Sequence, residues 1–115
     1  MARSLALTEL ASMLGVLAHA DRIRIVEELR AGERDVNTLA EALETGQARV
    51  SQHLALLRAH KLVATRRDGR RVLYHLTRPA VAGWLIEGLD FLQAEVEAGE
   101  LLADAVARAR VRFGD

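Results

Sequence analysis

The chain contains no cysteine and very little proline or aromatic residue. Its 115 residues include one proline, and Phe, Trp and Tyr together make up 3%. Without thiols there can be no disulfide, thiolate metal site or thiol redox sensor. With so few aromatic side chains, the core must consist of Leu, Val, Ile and Ala, a composition that suits helices.

Long apolar runs and catalytic signatures are missing as well. No run approaches the roughly 18 consecutive apolar residues of a membrane span, and no secretory signal is visible, so we expect a cytoplasmic protein without a membrane partner. No Gly-rich phosphate loop, G-x-S-x-G motif or metalloenzyme His–carboxylate spacing occurs, which argues against an enzyme. The length suits one domain, 1–115, with one modest core.

The charges balance over the whole chain but not along it. The formal net charge is zero, yet residues 47–78 hold eight basic residues and one acidic residue, a net charge of +7. The rest of the chain therefore carries −7. A local positive field attracts phosphate even when the total charge is zero. This basic segment predicts a DNA-facing surface; the alternative is that its arginines only solvate a surface hairpin.

Apolar periodicity and turn residues predict helices interrupted by one hairpin. Asp21 suits a helix N-cap, Asp68-Gly69 a tight turn, and Pro79 the first turn of a helix. The predicted elements are helices at 4–18, 22–30, 36–43 and 47–60, strands at 62–67 and 71–76, and helices from 79 and at 101–113. The fold class is thus mainly α with a small β-hairpin. It is a winged helix-turn-helix, with the helix-turn-helix at about 36–60, the wing at about 62–77 and C-terminal dimerisation helices at about 79–113.

The helix at 47–60 and the hairpin carry the candidate DNA contacts. Gln can pair bidentately with adenine and Arg with guanine, whereas Ser and His can serve phosphates. Wing arginines suit phosphates or a narrow minor groove, and strand alternation leads us to expect that two of the four touch DNA. Solvated surface residues are the alternative. The candidates are Gln47, Arg49, Ser51, Gln52, His53, Arg66, Arg67, Arg70 and Arg71.

Four segments of the chain together match a known pattern. They are LAHADRIRI at 17–25, LAEAL at 39–43, VSQHLALLR at 50–58 and DGRRVLYHL at 68–76. In these segments the chain resembles the ArsR/SmtB family of bacterial repressors, and the similarity extends over about residues 5–97. The resemblance implies a homodimeric winged-helix repressor that leaves its operator when an effector, commonly a metal ion, binds.

The metal ligands of that family have no counterparts in this chain. The resemblance implies a Cys-x-Cys pair where residues 35–37 read Asp-Val-Asn, and Asp, His, His and Glu ligands where Arg78, Ala80, Phe91 and Ala94 stand. Any metal site would be a non-standard one, for which we name His19, Asp21 and Asp35 as candidates. Oxygen and nitrogen ligands suit nickel, zinc or cobalt. The alternative is that these are ordinary surface residues.

Apolar residues in the first helix and after Pro79 predict a dimer seam. Because one recognition helix and wing span only one half-site, we expect a homodimer on an imperfect palindromic operator. The alternative is that these residues belong to the intramolecular core. The predicted seam consists of Leu7, Leu10, Leu14, Trp84, Leu85, Leu89, Leu92 and Val96.

The predicted function is a sequence-specific transcriptional repressor that an effector releases or modulates. One alternative is a transition-metal-responsive repressor with a non-standard His/Asp site. Another, from a different class, is a winged-helix protein-interaction module that does not bind DNA. The +7 net charge of the basic segment argues against the interaction module.

Overall fold

Four helices, a β-hairpin and two further helices follow one another along the chain. The computed structural model describes the backbone of residues 1–113 and the side chains of residues 1–99 and 103–111. The elements are α1 (Ala2–Leu17), α2 (Ala20–Arg30), α3 (Val36–Leu43), α4 (Gln47–Ala59), β1 (Val63–Asp68), β2 (Arg71–Leu76), α5 (Pro79–Glu97) and α6 (Glu100–Phe113). This order confirms the predicted mainly α winged helix-turn-helix.

The described residues pack into two units. The first is Met1–Gly83 and the second begins at Trp84, so the boundary falls inside α5. The sequence predicted one domain over 1–115. The first unit holds α1 to α4 and the hairpin, and therefore the whole helix-turn-helix and wing. In the described part of the chain, no helix combines the length and the apolar character needed to cross a membrane.

The core of the first unit fixes the orientation of α4. Val50, Leu54 and Leu57 are 0% exposed and form the predicted i, i+4, i+7 stripe. Ile25 on α2 and Leu39 on α3 are equally buried. Since residues at this spacing share one face of a helix, burying the stripe turns the opposite face of α4 to the solvent.

The hairpin is antiparallel and closes with a tight loop. Its register runs from Val63 opposite Leu76 to Asp68 opposite Arg71. The loop residues are Gly69 and Arg70, one position later than the predicted Asp68-Gly69 pair. Gly69 has a φ of 64°, a left-handed conformation that glycine adopts without steric cost.

The segment Glu33–Asp35, which precedes α3, is attached to β2 of the wing. The Arg34 backbone N–H donates to the Tyr74 carbonyl at 3.2 Å, and the Tyr74 N–H donates to the Arg34 carbonyl at 2.8 Å. This pair forms an isolated antiparallel bridge beside β2. The wing is thereby tied by backbone hydrogen bonds to the chain that enters the helix-turn-helix.

Candidate nucleic-acid interface

The solvent-exposed surface of α4 carries four of the five DNA contacts that were predicted on this helix. Gln47, Arg49, Ser51 and Gln52 are all exposed. They lie around the part of the helix surface that the buried stripe leaves open, with Gln47 and Arg49 toward opposite edges of it. Gly46 is the N-cap of α4, and no side chain of the described residues supplies a capping hydrogen bond there.

His53 is the exception, because it points into the protein. It is only 7% exposed, and the Arg22 Nε–H donates to its Nδ1 at 3.2 Å. Arg22 also donates through Nη1 to the Val16 carbonyl at 2.9 Å. The prediction that His53 contacts DNA is therefore corrected: its ring ties α4 to α2. Its position three residues after Val50, on the side of the apolar stripe, was the sequence signal for burial.

The environment of His53 favours its neutral form. Burial lowers the pKa of the His53 imidazole, and the positive charge of the nearby Arg22 guanidinium lowers it further. A buried neutral ring can accept a hydrogen bond from the Arg22 guanidinium at one nitrogen while its other nitrogen remains a donor. The Arg22–His53 contact is therefore a hydrogen bond between a charged donor and a neutral acceptor.

His19, Asp21 and His53 form a polar cluster where α2 begins. His19, not the predicted Asp21, is the N-cap of α2, and its Nδ1 accepts from the Asp21 backbone N–H at 3.2 Å. The His19 and His53 rings lie 4.5 Å apart between centroids. Asp21 Oδ2 lies 3.5 Å from His53 Nε2 and 3.9 Å from Arg49 Nε. The cluster thus reaches a side chain on the exposed face of α4.

Asp35, the third predicted metal candidate, does not join this cluster. It is the N-cap of α3, and its Oδ1 accepts from the Thr38 backbone N–H at 2.8 Å. That hydrogen bond holds the pKa of the Asp35 carboxyl below its usual range, and Arg71 lowers it further. Asp35 therefore caps α3 and pairs with Arg71 of the wing.

The four wing arginines divide into two pairs. Arg66 Nε donates to both carboxylate oxygens of Glu33 at 2.8 and 2.7 Å, and Arg71 Nη2 lies 3.3 Å from Asp35 Oδ2. The Arg66 hydrogen bond also holds the pKa of the Glu33 carboxyl below its usual value. Arg67 and Arg70 are exposed, and among the described residues no carboxylate lies within ion-pair distance of either.

The predicted dimer residues are mostly exposed, each within its own unit. On α1, Leu7, Leu10 and Leu14 are 40–56% exposed. In the second unit, Leu85 is half-buried. The exposed residues of the predicted seam in that unit are Trp84, Leu89, Leu92 and Val96. Phe91, which is not part of the predicted seam, is a further large exposed apolar residue. Each unit therefore carries large exposed apolar side chains.

A buried stripe on α4, an exposed polar face opposite it and an arginine-bearing hairpin define a winged helix-turn-helix protein. A family model described as "Bacterial regulatory protein, arsR family" matches residues 19–65. The chain is 40% identical over 86 residues to the transcriptional regulator NmtR of Mycobacterium tuberculosis, covering 75% of this chain and 72% of NmtR. It is 37% identical over 81 residues to the biofilm growth-associated repressor of Xylella fastidiosa, covering 70% of each. The chain belongs to the ArsR family.

Solved structures agree with this assignment. The homodimeric winged helix-turn-helix domain of Mb0332 from Mycobacterium bovis superposes with a TM-score of 0.72 at 27% identity, covering 84% of this chain and 89% of that domain. The chain spans about half the length of several other curated relatives that it matches, 47–58%. The family is one of regulatory proteins, which supports the prediction of a regulator and not an enzyme.

Proposed function

We propose that this protein is a homodimeric, sequence-specific DNA-binding regulator that represses transcription. The observation that carries this proposal is the exposed surface of α4, which presents Gln47, Arg49, Ser51 and Gln52 on a helix held by a fully buried stripe. Arg and Gln are the side chains that pair bidentately with guanine and adenine in the major groove. A bacterial regulator of this kind would act in the cytoplasm.

The wing and the exposed apolar surfaces supply the other two requirements of this function, contact with the DNA backbone and a dimer interface. Arg67 and Arg70, at the tip of the hairpin, have guanidinium groups available for the DNA backbone next to the groove that α4 enters. The exposed apolar residues of α1 and of the second unit supply the surface for a second copy. Two recognition helices related by a twofold axis read half-sites about one helical turn apart, so the operator is an imperfect palindrome.

The first test is selection of genomic DNA fragments by the purified, metal-stripped full chain, followed by sequencing. We expect enrichment of one imperfect palindrome whose half-site centres lie about 10 base pairs apart. Enrichment without any palindrome would contradict the dimer. No enrichment, either with or without added divalent metals, would contradict DNA binding and favour the interaction module.

The wing arginines give a second, quantitative test. Replacing Arg67 with Ala should flatten the salt dependence of operator binding by about 1.8 in log–log slope, since a dimer loses two phosphate contacts of about 0.9 each. Arg66→Ala is the matched control, because Glu33 already holds that guanidinium. For Arg66→Ala the log–log slope of operator binding against salt concentration should change much less. Both slopes come from fluorescence anisotropy titrations at several salt concentrations, and equal changes would contradict the division of the wing arginines.

Of the two alternatives, one has structural support. The relatives are named as transcriptional regulators and repressors, which does not favour a module that never binds DNA. A transition-metal-responsive repressor is favoured by the His19–Asp21–His53 cluster, whose potential ligand atoms lie within 4.8 Å of one another. This second candidate keeps the DNA-binding function and adds an effector.

A further inference from the structure

We propose that His19, Asp21 and His53 bind a divalent transition metal ion and that this ion controls Arg49 on the recognition helix. The site joins the start of α2 to α4, away from the positions where the family resemblance places metal ligands, 35–37 and α5. Metal binding at this site does not depend on the proposed function. Only the control of DNA binding through Arg49 rests on that function.

The strongest observation is an unsatisfied nitrogen atom. His53 Nε2 is buried and has no hydrogen-bond partner among the described residues, and it lies 3.5 Å from Asp21 Oδ2. The His53 side chain is only 9% exposed. A buried polar atom without a partner is costly in a folded protein and calls for an explanation such as an ion. The nitrogen faces a carboxylate, so a cation between them would be bound by both.

The donor set matches the chemistry of zinc, nickel and cobalt. One nitrogen from each histidine and one carboxylate oxygen lie within 4.8 Å of one another. In a tetrahedral zinc site, ligand atoms about 2.0–2.1 Å from the ion are separated by about 3.3 Å. The side chains must therefore close in by about 1.5 Å at most, which rotation of the partly exposed His19 and Asp21 can provide. Two imidazoles and one carboxylate leave a fourth position for water.

Metal binding and the Arg22–His53 hydrogen bond exclude one another. Arg22 donates to Nδ1 of His53, which places the proton of the neutral ring on Nε2, the atom that faces Asp21. When a metal takes the Nε2 lone pair, the ring carries its proton on Nδ1 and can no longer accept from Arg22. Since Arg22 also holds the Val16 carbonyl at the end of α1, the metal acts on the junction of α1, α2 and α4.

Asp21 is the link to DNA recognition. Its Oδ2 lies 3.9 Å from Arg49 Nε, so the exposed guanidinium is partly neutralised by an acid on α2. A metal ion takes up that carboxylate and turns a local charge of −1 into +1. The release of Arg49 from Asp21 and the added positive charge both favour contacts between Arg49 and the phosphates or bases. The ion should therefore tighten operator binding.

Titration of the metal-stripped full chain with Co²⁺, followed by visible absorption and then by displacement with Zn²⁺, tests the site without DNA. We expect one ion per chain, a tetrahedral cobalt spectrum and a higher temperature of thermal unfolding. Asp21→Asn and His19→Asn should each weaken binding by about tenfold or more. His19→Asn keeps a good helix cap, and the Asp21 backbone N–H that it binds is unaffected by Asp21→Asn.

His60→Asn is the control, because His60 is an exposed histidine outside the cluster. It should bind Co²⁺ as the wild type does. No binding by the wild type, or equal binding by the wild type, Asp21→Asn and His19→Asn, would overturn the site. Thermal unfolding of each variant without metal shows that it is folded, so lost binding is not mistaken for lost structure.

Operator titrations with Zn²⁺ and with chelator test the control of Arg49. Zn²⁺ should tighten binding by the wild type about fivefold or more. Asp21→Asn frees Arg49 without metal, so it should bind more tightly in chelator and no longer respond to Zn²⁺. If Zn²⁺ binds but leaves operator affinity unchanged or lowers it, the proposed control through Arg49 is wrong, although the metal site itself is still supported. If the wild type binds no operator in either condition, the proposed function fails, while the cobalt titration still decides the metal site.

Discussion

Replacing Arg49 and Gln52 together with Ala is expected to abolish operator binding while the dimer remains intact. Both side chains are exposed on α4 and neither contributes to the buried stripe. One bidentate base contact is worth about 1–3 kcal/mol, so a dimer that loses two in each subunit binds its operator about 4–12 kcal/mol more weakly, a loss of roughly a thousandfold or more. Fluorescence anisotropy with the selected operator measures the loss, and sedimentation velocity measures the dimer.

The double variant also loses the positive charge of Arg49, and the effect of that lost charge needs its own control. Arg24→Ala removes one positive charge from an exposed position on α2, where the side chain pairs with Glu28 at 3.0 Å. Because it lies outside the basic segment, it should change operator affinity by no more than a few-fold. A double variant that binds as well as the wild type does would show that α4 is not the recognition helix.

The second large effect is expected on stability, from Leu54→Ala. Leu54 is 0% exposed at the centre of the stripe that orients α4. Removing a buried leucine side chain costs about 2–5 kcal/mol, a large share of the roughly 5–15 kcal/mol that stabilises a typical domain. Urea unfolding at one fixed protein concentration measures the difference, because dimerisation would make the apparent stability depend on concentration.

Leu56→Ala is the matched control in the same helix. Leu56 is 43% exposed, so the same substitution removes few buried contacts and should cost about 0.5 kcal/mol. Similar losses for the two variants would mean that the stripe does not hold α4 against α2 and α3. The polar face of α4 would then lack the support that the proposed function requires.

The features predicted from the sequence are those that local patterns determine. The spacing of Val50, Leu54 and Leu57 predicted both α4 and its buried side, and therefore the exposed position of Arg49. The predicted α3 at 36–43 has the same bounds in the structure. Helix and strand periods are set within a few residues of chain, so a single sequence contains them.

The missed features depend on side chains that meet from distant parts of the chain. Arg66 and Glu33 are 33 residues apart in sequence, and His53 and Arg22 are 31 apart. No local spacing reveals such pairs. His53 was assigned to DNA because more weight was given to its polar neighbours than to its position beside the apolar stripe, and Asp35 was assigned to a metal site because of its residue type. Asp21 was taken as a helix cap because Asp is a common one, while His19 performs that role.

The ion pairs between the wing arginines and the 33–35 segment make salt act in two ways at once. Arg66 and Arg71 are more than half exposed where they meet Glu33 and Asp35, and exposed ion pairs weaken as ionic strength rises. High salt therefore competes for the phosphates and also weakens these ion pairs, so the hairpin depends more on the Arg34–Tyr74 backbone bridge for its attachment to the 33–35 segment. The measured slope would then combine counterion release with a loss of wing order. A count of phosphate contacts taken directly from that slope would be too high.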